Sequence, residues 1–145
     1  MMEASELMIG DLVRVNKDVC FKKGTIVRVH AIDGDRNFPE KRRIGCVTCV
    51  PIDDPDGCSG GVWTAFLDPI PLTAEILEKN GWGKDTYSNE SYDNEDIECL
   101  SLWVGEDVKN KWWWHAGCEL VTPINYVHQL QHALKLCRIE KEITV

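Results

Sequence analysis

Chemistry in a small chain must come from a few side chains at workable spacing. Seven cysteines, four histidines and six tryptophans are the first to weigh. Cys46 and Cys49 form a C-x2-C, with Cys58 downstream and the His115–Cys118 pair far along the chain. A zinc site needs four ligands converging tetrahedrally. Cys46 and Cys49 are three apart in an expected strand, so they fall on opposite faces. No second C-x2-C exists, and the reading is packed thiols with no metal centre. His128 and His132 have the i, i+4 spacing of two helical metal ligands. Gln129-Leu130-Gln131 stands between them, without the glutamate base of H-E-x-x-H. Both histidines fall opposite the apolar stripe of their helix, which reads as a solvated or partner-facing face.

Nucleophile and phosphate motifs are missing: there is no G-x-S-x-G, no G-x-x-x-x-G-K-[ST] and no G-x-G-x-x-G. Gly60–Gly61 leads into a strand, so its amides lack the field of a helix N-terminus. The acid pairs Asp53–Asp54 and Glu106–Asp107 fall in expected turns. Basic residues cluster better. Lys22, Lys23 and Arg28 flank one expected strand, and Lys41, Arg42 and Arg43 open another, with Phe21 and Phe38 nearby. A small barrel with such a patch can hold nucleic acid. The formal net charge of −8 works against a polyanion.

The tryptophans stand out. Trp112, Trp113 and Trp114 are consecutive, followed by His115. On a strand, Trp112 and Trp114 share one face, and Trp113 and His115 the other. A sheet covered by one helix has a single core face, so some indole is expected at the surface, where tryptophan is a common binding anchor.

The elements that must position these residues follow from patterning. Leu12–Val15, Thr25–Ile32, Arg43–Val50 and Val62–Leu67 read as strands, with a brief fifth over Ile70–Leu72. Within Thr25–Ile32 the cleaner core face is Thr25, Val27, Val29 and Ala31. Thr73 caps a short helix that Asn80–Gly81 stops, and Trp82 packs back on its last turn. Gly83–Asp96, with one lysine and five acids, reads as a surface loop, with room for a short strand near Tyr87. Ile97–Gly105 and Lys111–His115 form a hairpin about the loop Glu106–Asn110, and Glu119–Ile124 adds a third strand. A helix over Tyr126–Cys137, capped by Asn125 or Thr122, turns Tyr126, Val127, Leu130, Ala133, Leu134 and Cys137 to one side and His128, Gln131, His132 and Lys135 to the other. Lys141–Val145 reads as an edge strand.

The expected fold class is therefore α+β. An SH3-like five-stranded β-barrel over residues 1–72 precedes a small antiparallel sheet with two helices over 73–145, packed on it as one compact unit. The acidity belongs to the second part: residues 1–60 hold nine basic and ten acidic side chains, the remainder seven and fourteen. No apolar run reaches the roughly 20 residues of a membrane span. Glu3 and Glu6 stand where a secretory leader would be basic. An odd number of irregularly spaced cysteines fits a reducing cytoplasm.

Three stretches together resemble a known family. They are Ser5-Glu6-Leu7-Met8-Ile9-Gly10-Asp11-Leu12-Val13, the segment Pro69-Ile70-Pro71-Leu72-Thr73-Ala74-Glu75-Ile76-Leu77-Glu78-Lys79-Asn80-Gly81-Trp82, and Tyr126-Val127-His128-Gln129-Leu130-Gln131-His132-Ala133-Leu134-Lys135-Leu136-Cys137. Their order resembles a family of short uncharacterised proteins of Bacteroidales genomes, prophages and mobile elements. The resemblance implies a cytoplasmic bacterial or phage setting and an accessory role, and carries over no catalytic residues. The expected function is a non-enzymatic interaction module that binds a host protein or small ligand through Trp112, Trp113, Trp114 and His115, with no cofactor. The alternatives are a nucleic-acid-binding barrel using Lys22, Lys23, Arg28, Lys41, Arg42 and Arg43, and a small hydrolase.

Overall fold

The computed structural model describes residues 2–33, 45–85, 91–95, 97, 101–104, 112–116 and 119–145; of residues 33, 101, 103, 104, 112–116 and 119–121 it describes the backbone alone. The chain is α+β and divides into two units, Met1–Ile70 and Pro71–Val145.

In the first unit, β1 (Leu12–Val15), β2 (Ile26–Asp33), β3 (Cys46–Pro51), β4 (Gly60–Trp63) and β5 (Leu67–Pro69) form one antiparallel sheet in the order β4-β3-β2-β1-β5. The register explains the core. Val13 lies opposite Val27, Val29 opposite Cys49, Val47 opposite Val62, and Val15 opposite Leu67. Directly opposed residues share a sheet face, and all eight are buried. Each contributes about 1.5–3 kcal/mol, less for the smaller thiol, by leaving water. Met2 and Leu7 join this cluster, and Phe21 and Phe66 pack against it.

A bulge interrupts the alternation. The register shifts between Val29 and Ala31, leaving His30 as the extra residue. Val27 and Val29 face the core as expected. Beyond the bulge, Ile32 takes the place opposite Val47 and Ala31 the place opposite Thr48. The strand expected over Val62–Leu67 stops at Trp63, and Thr64–Phe66 forms a 3-10 turn. Two bonds hold that turn: the Thr64 N–H donates to the Gly45 carbonyl at 2.9 Å, and the Asn16 N–H to the Phe66 carbonyl at 2.9 Å. The fifth strand accordingly comes three residues earlier than Ile70–Leu72. Asn16 Nδ2 donates to Asp68 Oδ1 at 2.8 Å beside it, and this bond, with Arg14 as a lesser cause, holds the Asp68 carboxyl below its usual range. Among the described residues no ladder joins β4 to β5, so the sheet is open between them.

The second unit begins with α1 (Ala74–Lys79). The Ile76 N–H donates to Thr73 Oγ1 at 3.3 Å, as the capping pattern requires. The Thr73 hydroxyl, with the backbone N–H of Glu75 itself, holds the Glu75 carboxyl below its usual range. Gly81, at φ +86°, ends the helix in the left-handed region. Its meander is β6 (Trp82–Lys84), β7 (Ser91–Asn94), β8 (Ser101–Val104), β9 (Trp112–Ala116) and β10 (Glu119–Ile124), hydrogen-bonded in that order. Within the stretch Gly83–Asp96, expected as a surface loop, residues 83–84 and 91–94 instead pair as strands, with Tyr92 and Asn94 buried. Tyr87 lies outside the described residues. The sheet therefore has five strands and is larger than expected.

Helix α2 (Val127–Leu136) packs on β10 and α1 on β6. Tyr126 is the residue that caps α2, in place of Asn125 or Thr122: Gln129 Oε1 reaches back to accept from the N–H groups of Asn125 at 2.8 Å and Tyr126 at 3.2 Å. Val127, Leu130, Ala133 and Leu134 are buried, as the stripe requires. The tail makes no ladder. Asn80, 7% exposed, takes the part of a partner strand. Its Nδ2 donates to the carbonyls of Ile76 and Thr144, both at 2.7 Å, and its Oδ1 accepts from the Thr144 N–H at 2.8 Å. Ile143 is buried, and Lys79 Nζ donates to the Val145 carbonyl at 2.9 Å. No helix among the described residues is long and apolar enough to cross a membrane.

Candidate functional site

The tryptophan strand β9 lies between β8 and β10. Trp112 is opposite Val104 and Ile124, Trp114 opposite Leu102 and Thr122, and Trp113 opposite Trp103 and Pro123. His115 is opposite Ser101 and Leu120, where β10 has a register shift before Thr122. Ile124 and Leu102 are buried, and Leu102 is itself opposite the buried Tyr92. Positions 112 and 114 thus belong to the sheet face that carries the core of the second unit. Position 113 belongs to the other face, in a row with the exposed Pro123 and the half-buried Ser91. The side chains of Trp112, Trp113, Trp114 and His115 lie outside what is described.

Of the basic residues, Lys22, Lys23 and Arg28 fall among the described ones. Lys22 and Lys23 are exposed in the turn between β1 and β2, where the Thr25 N–H donates to the Lys22 carbonyl at 3.1 Å. The Lys23 N–H donates to Asp18 Oδ1 at 2.6 Å, which brings a carboxylate into the same turn. Arg28 is half-buried in mid-sheet, opposite Leu12 and Val50. Lys41, Arg42 and Arg43 fall outside the described residues.

Of the cysteines, Cys46 lies opposite Trp63 and is half-buried, while Cys49 lies opposite Gly60 and is fully buried, so the C-x2-C straddles β3. Cys58 is exposed, and Cys118 lies outside the described residues. Among the described residues, no group of three or more His, Cys, Asp or Glu side chains is arranged to hold a metal ion. The structure adds one neighbour that spacing did not reveal. Cys20, in the loop after β1, donates from Sγ to the Gly61 carbonyl at 3.6 Å. Burial, followed by the neighbouring Cys20 and Cys46 thiols, pushes Cys49 up to about 12. The readable sign was the glycine pair Gly60–Gly61 inside a strand, since such a site often marks a close approach by another part of the chain.

The histidines correct an expectation. His128 is 5% exposed and Gln131 8% exposed, so the face expected to meet solvent is largely covered. The His128 ring stacks on Tyr126, with centroids 5.8 Å apart, and meets His132 edge-on at 5.6 Å. The helical wheel found the most apolar side of α2. It could not show that the helix is covered over a wider arc.

No protein-family model matches the chain, and no curated protein or solved structure matches it.

Proposed function

We propose that this protein is a non-enzymatic interaction module that docks a protein partner or flat small ligand on its tryptophan-bearing sheet. One observation carries the reading: the register of β9 assigns position 113 to the face opposite the core, beside Trp103. Tryptophans at neighbouring positions on an open face would supply a rigid apolar anchor with an N–H handle at low entropic cost. The anchor is then narrower than the whole run Trp112–His115, with Trp113 at its centre and Trp112 and Trp114 serving the core.

The first unit is, in this proposal, an SH3-like barrel that acts as scaffold. Its strand order β4-β3-β2-β1-β5, the bulge in β2 and the 3-10 turn between β4 and β5 support that reading. The accessory role in a prophage or mobile element, and the cytoplasmic setting, rest on the resemblance of the three stretches quoted above.

Affinity capture from a bacterial lysate tests the function, with the intact protein and its Trp113→Ser variant as baits. A partner held by the first and lost from the second supports the module. An identical set of captured proteins on both baits contradicts it.

A further inference from the structure

The loop after β1 lays a second thiol over the core face of the first sheet. Gly60 is directly opposite Cys49 in the β3–β4 ladder. Side chains of such opposed residues stand on one face, with Cβ atoms about 4.5–5.5 Å apart. Gly60 has no side chain, and Cys20 and Phe21 fill the vacancy: a methyl group added at Gly60 would lie 2.7 Å from Cys20 Sγ, 3.1 Å from Phe21 Cζ and 3.2 Å from Cys20 Cβ. Cys20 thus stands close to the place that a cross-strand partner of Cys49 would occupy, and disulfides need Cβ atoms only about 3.5–4.5 Å apart. Both residues are thiols here; Cys20 is exposed and Cys49 is 0% exposed. Packing alone accounts for Cys49, a small apolar side chain among Val29, Val47 and Val62. It does not account for an exposed thiol laid on a glycine beside it.

We propose that Cys20 and Cys49 form a redox pair, in which Cys20 is the entry thiol for small disulfides and Cys49 is the thiol that resolves the adduct. In the first step the Cys20 thiolate attacks one sulfur of R–S–S–R. The S–S bond breaks, R–S⁻ leaves and takes up the proton Cys20 had lost, and Cys20–S–S–R forms. In the second step Cys49 gives up its proton and attacks Cys20 Sγ. The bond to R–S breaks, the second thiol leaves protonated, and the Cys20–Cys49 disulfide forms. The two cysteines lose two electrons together, and the small disulfide is reduced to two thiols. The product pins the loop after β1 to β3.

The second step depends strongly on pH. Because only a thiolate attacks and burial holds Cys49 up to about 12, the second step is slow at neutral pH and accelerates about tenfold per pH unit below that value. The test treats the reduced full chain with oxidised glutathione at pH 7 and pH 9 under native conditions, quenches with acid, and maps the products by mass spectrometry. The expected course is one glutathione on Cys20, which then gives way to a species two hydrogens lighter than the reduced chain. The peptides carrying Cys20 and Cys49 are linked in it, and the conversion is far faster at pH 9. Cys49→Ala stops at the adduct, and Cys20→Ser yields no linked peptide. An adduct on Cys20 that persists at pH 9, or a linkage of Cys20 to any other cysteine, overturns the proposal. The mapping of the unsubstituted chain decides even where Cys49→Ala fails to fold.

Discussion

Asn80 shows how one polar side chain can replace a strand. Its amide meets the backbone N–H and carbonyl of Thr144 and also the last turn of α1 through the Ile76 carbonyl. Buried groups left without partners are costly. Asn80→Ala is expected to lower unfolding free energy by about 1–3 kcal/mol, read from urea denaturation. Deleting Ile143–Val145 should cost the tail's burial as well. The two changes together should cost less than their sum, since both remove the Asn80–Thr144 bonds. Additive losses would show that Asn80 acts independently of the tail. Cys49 gives a second residue-scale expectation. Its folded value, about 12, lies above the ordinary 9.0, so between those values the folded chain holds a proton that the unfolded chain has lost. The stability this contributes is full below pH 9 and is lost as pH rises towards 12, at no more than about 1.4 kcal/mol per pH unit. Comparing the alkaline unfolding of the protein with that of Cys49→Ala isolates the slope, which the variant should lack. The Asn80–Thr144 bonds were not legible in the sequence: residues 80 and 144 meet only once the elements are packed, and no local pattern announces them.

At the scale of elements, the two ends of α1 were the most readable features, because caps are local. Thr73 and Gly81 do what their types require at the two ends of α1. The end of α2 breaks the rule instructively. The N–H of Arg138 donates to the Lys135 carbonyl at 3.0 Å and that of Ile139 to the Leu134 carbonyl at 2.9 Å. This is the paired pattern that normally places glycine in the left-handed position. Arg138 holds that position at φ +58°, at a cost of roughly 1 kcal/mol. Arg138→Gly should therefore raise the unfolding free energy by about 0.5–1 kcal/mol, measured by thermal or urea unfolding; an unchanged or lower value would show that the arginine side chain repays its strain. Strands were less readable than caps. β2 was found, but its bulge at His30 moved Ala31 and Ile32 away from the places that simple alternation assigned. β6 and β7 were missed because Ser, Asn, Asp and Gly dominate their composition. Pairing to β8 and the burial of Trp82 and Tyr92 override that weak local preference.

At the scale of the molecule, the α+β class followed from strand and helix patterning; the chain divides into Met1–Ile70 and Pro71–Val145. The size of the second sheet did not follow, since two of its five strands looked like loop. The candidate site was half legible. Three consecutive indoles on a strand must be shared between two faces, and the sequence alone could say so. Which face was the core depended on Leu102 and Ile124 lying opposite Trp114 and Trp112, a fact of register. Fluorine NMR of the indoles tests that assignment. The protein is labelled with 5-fluorotryptophan, its resonances are assigned by single Trp→Phe variants, and a soluble paramagnetic agent is titrated in. The account predicts strong broadening of the Trp113 resonance, with Trp112 and Trp114 left sharp. A Trp113 resonance as protected as its two neighbours would contradict it, leaving the sheet with no indole at that position to offer a partner.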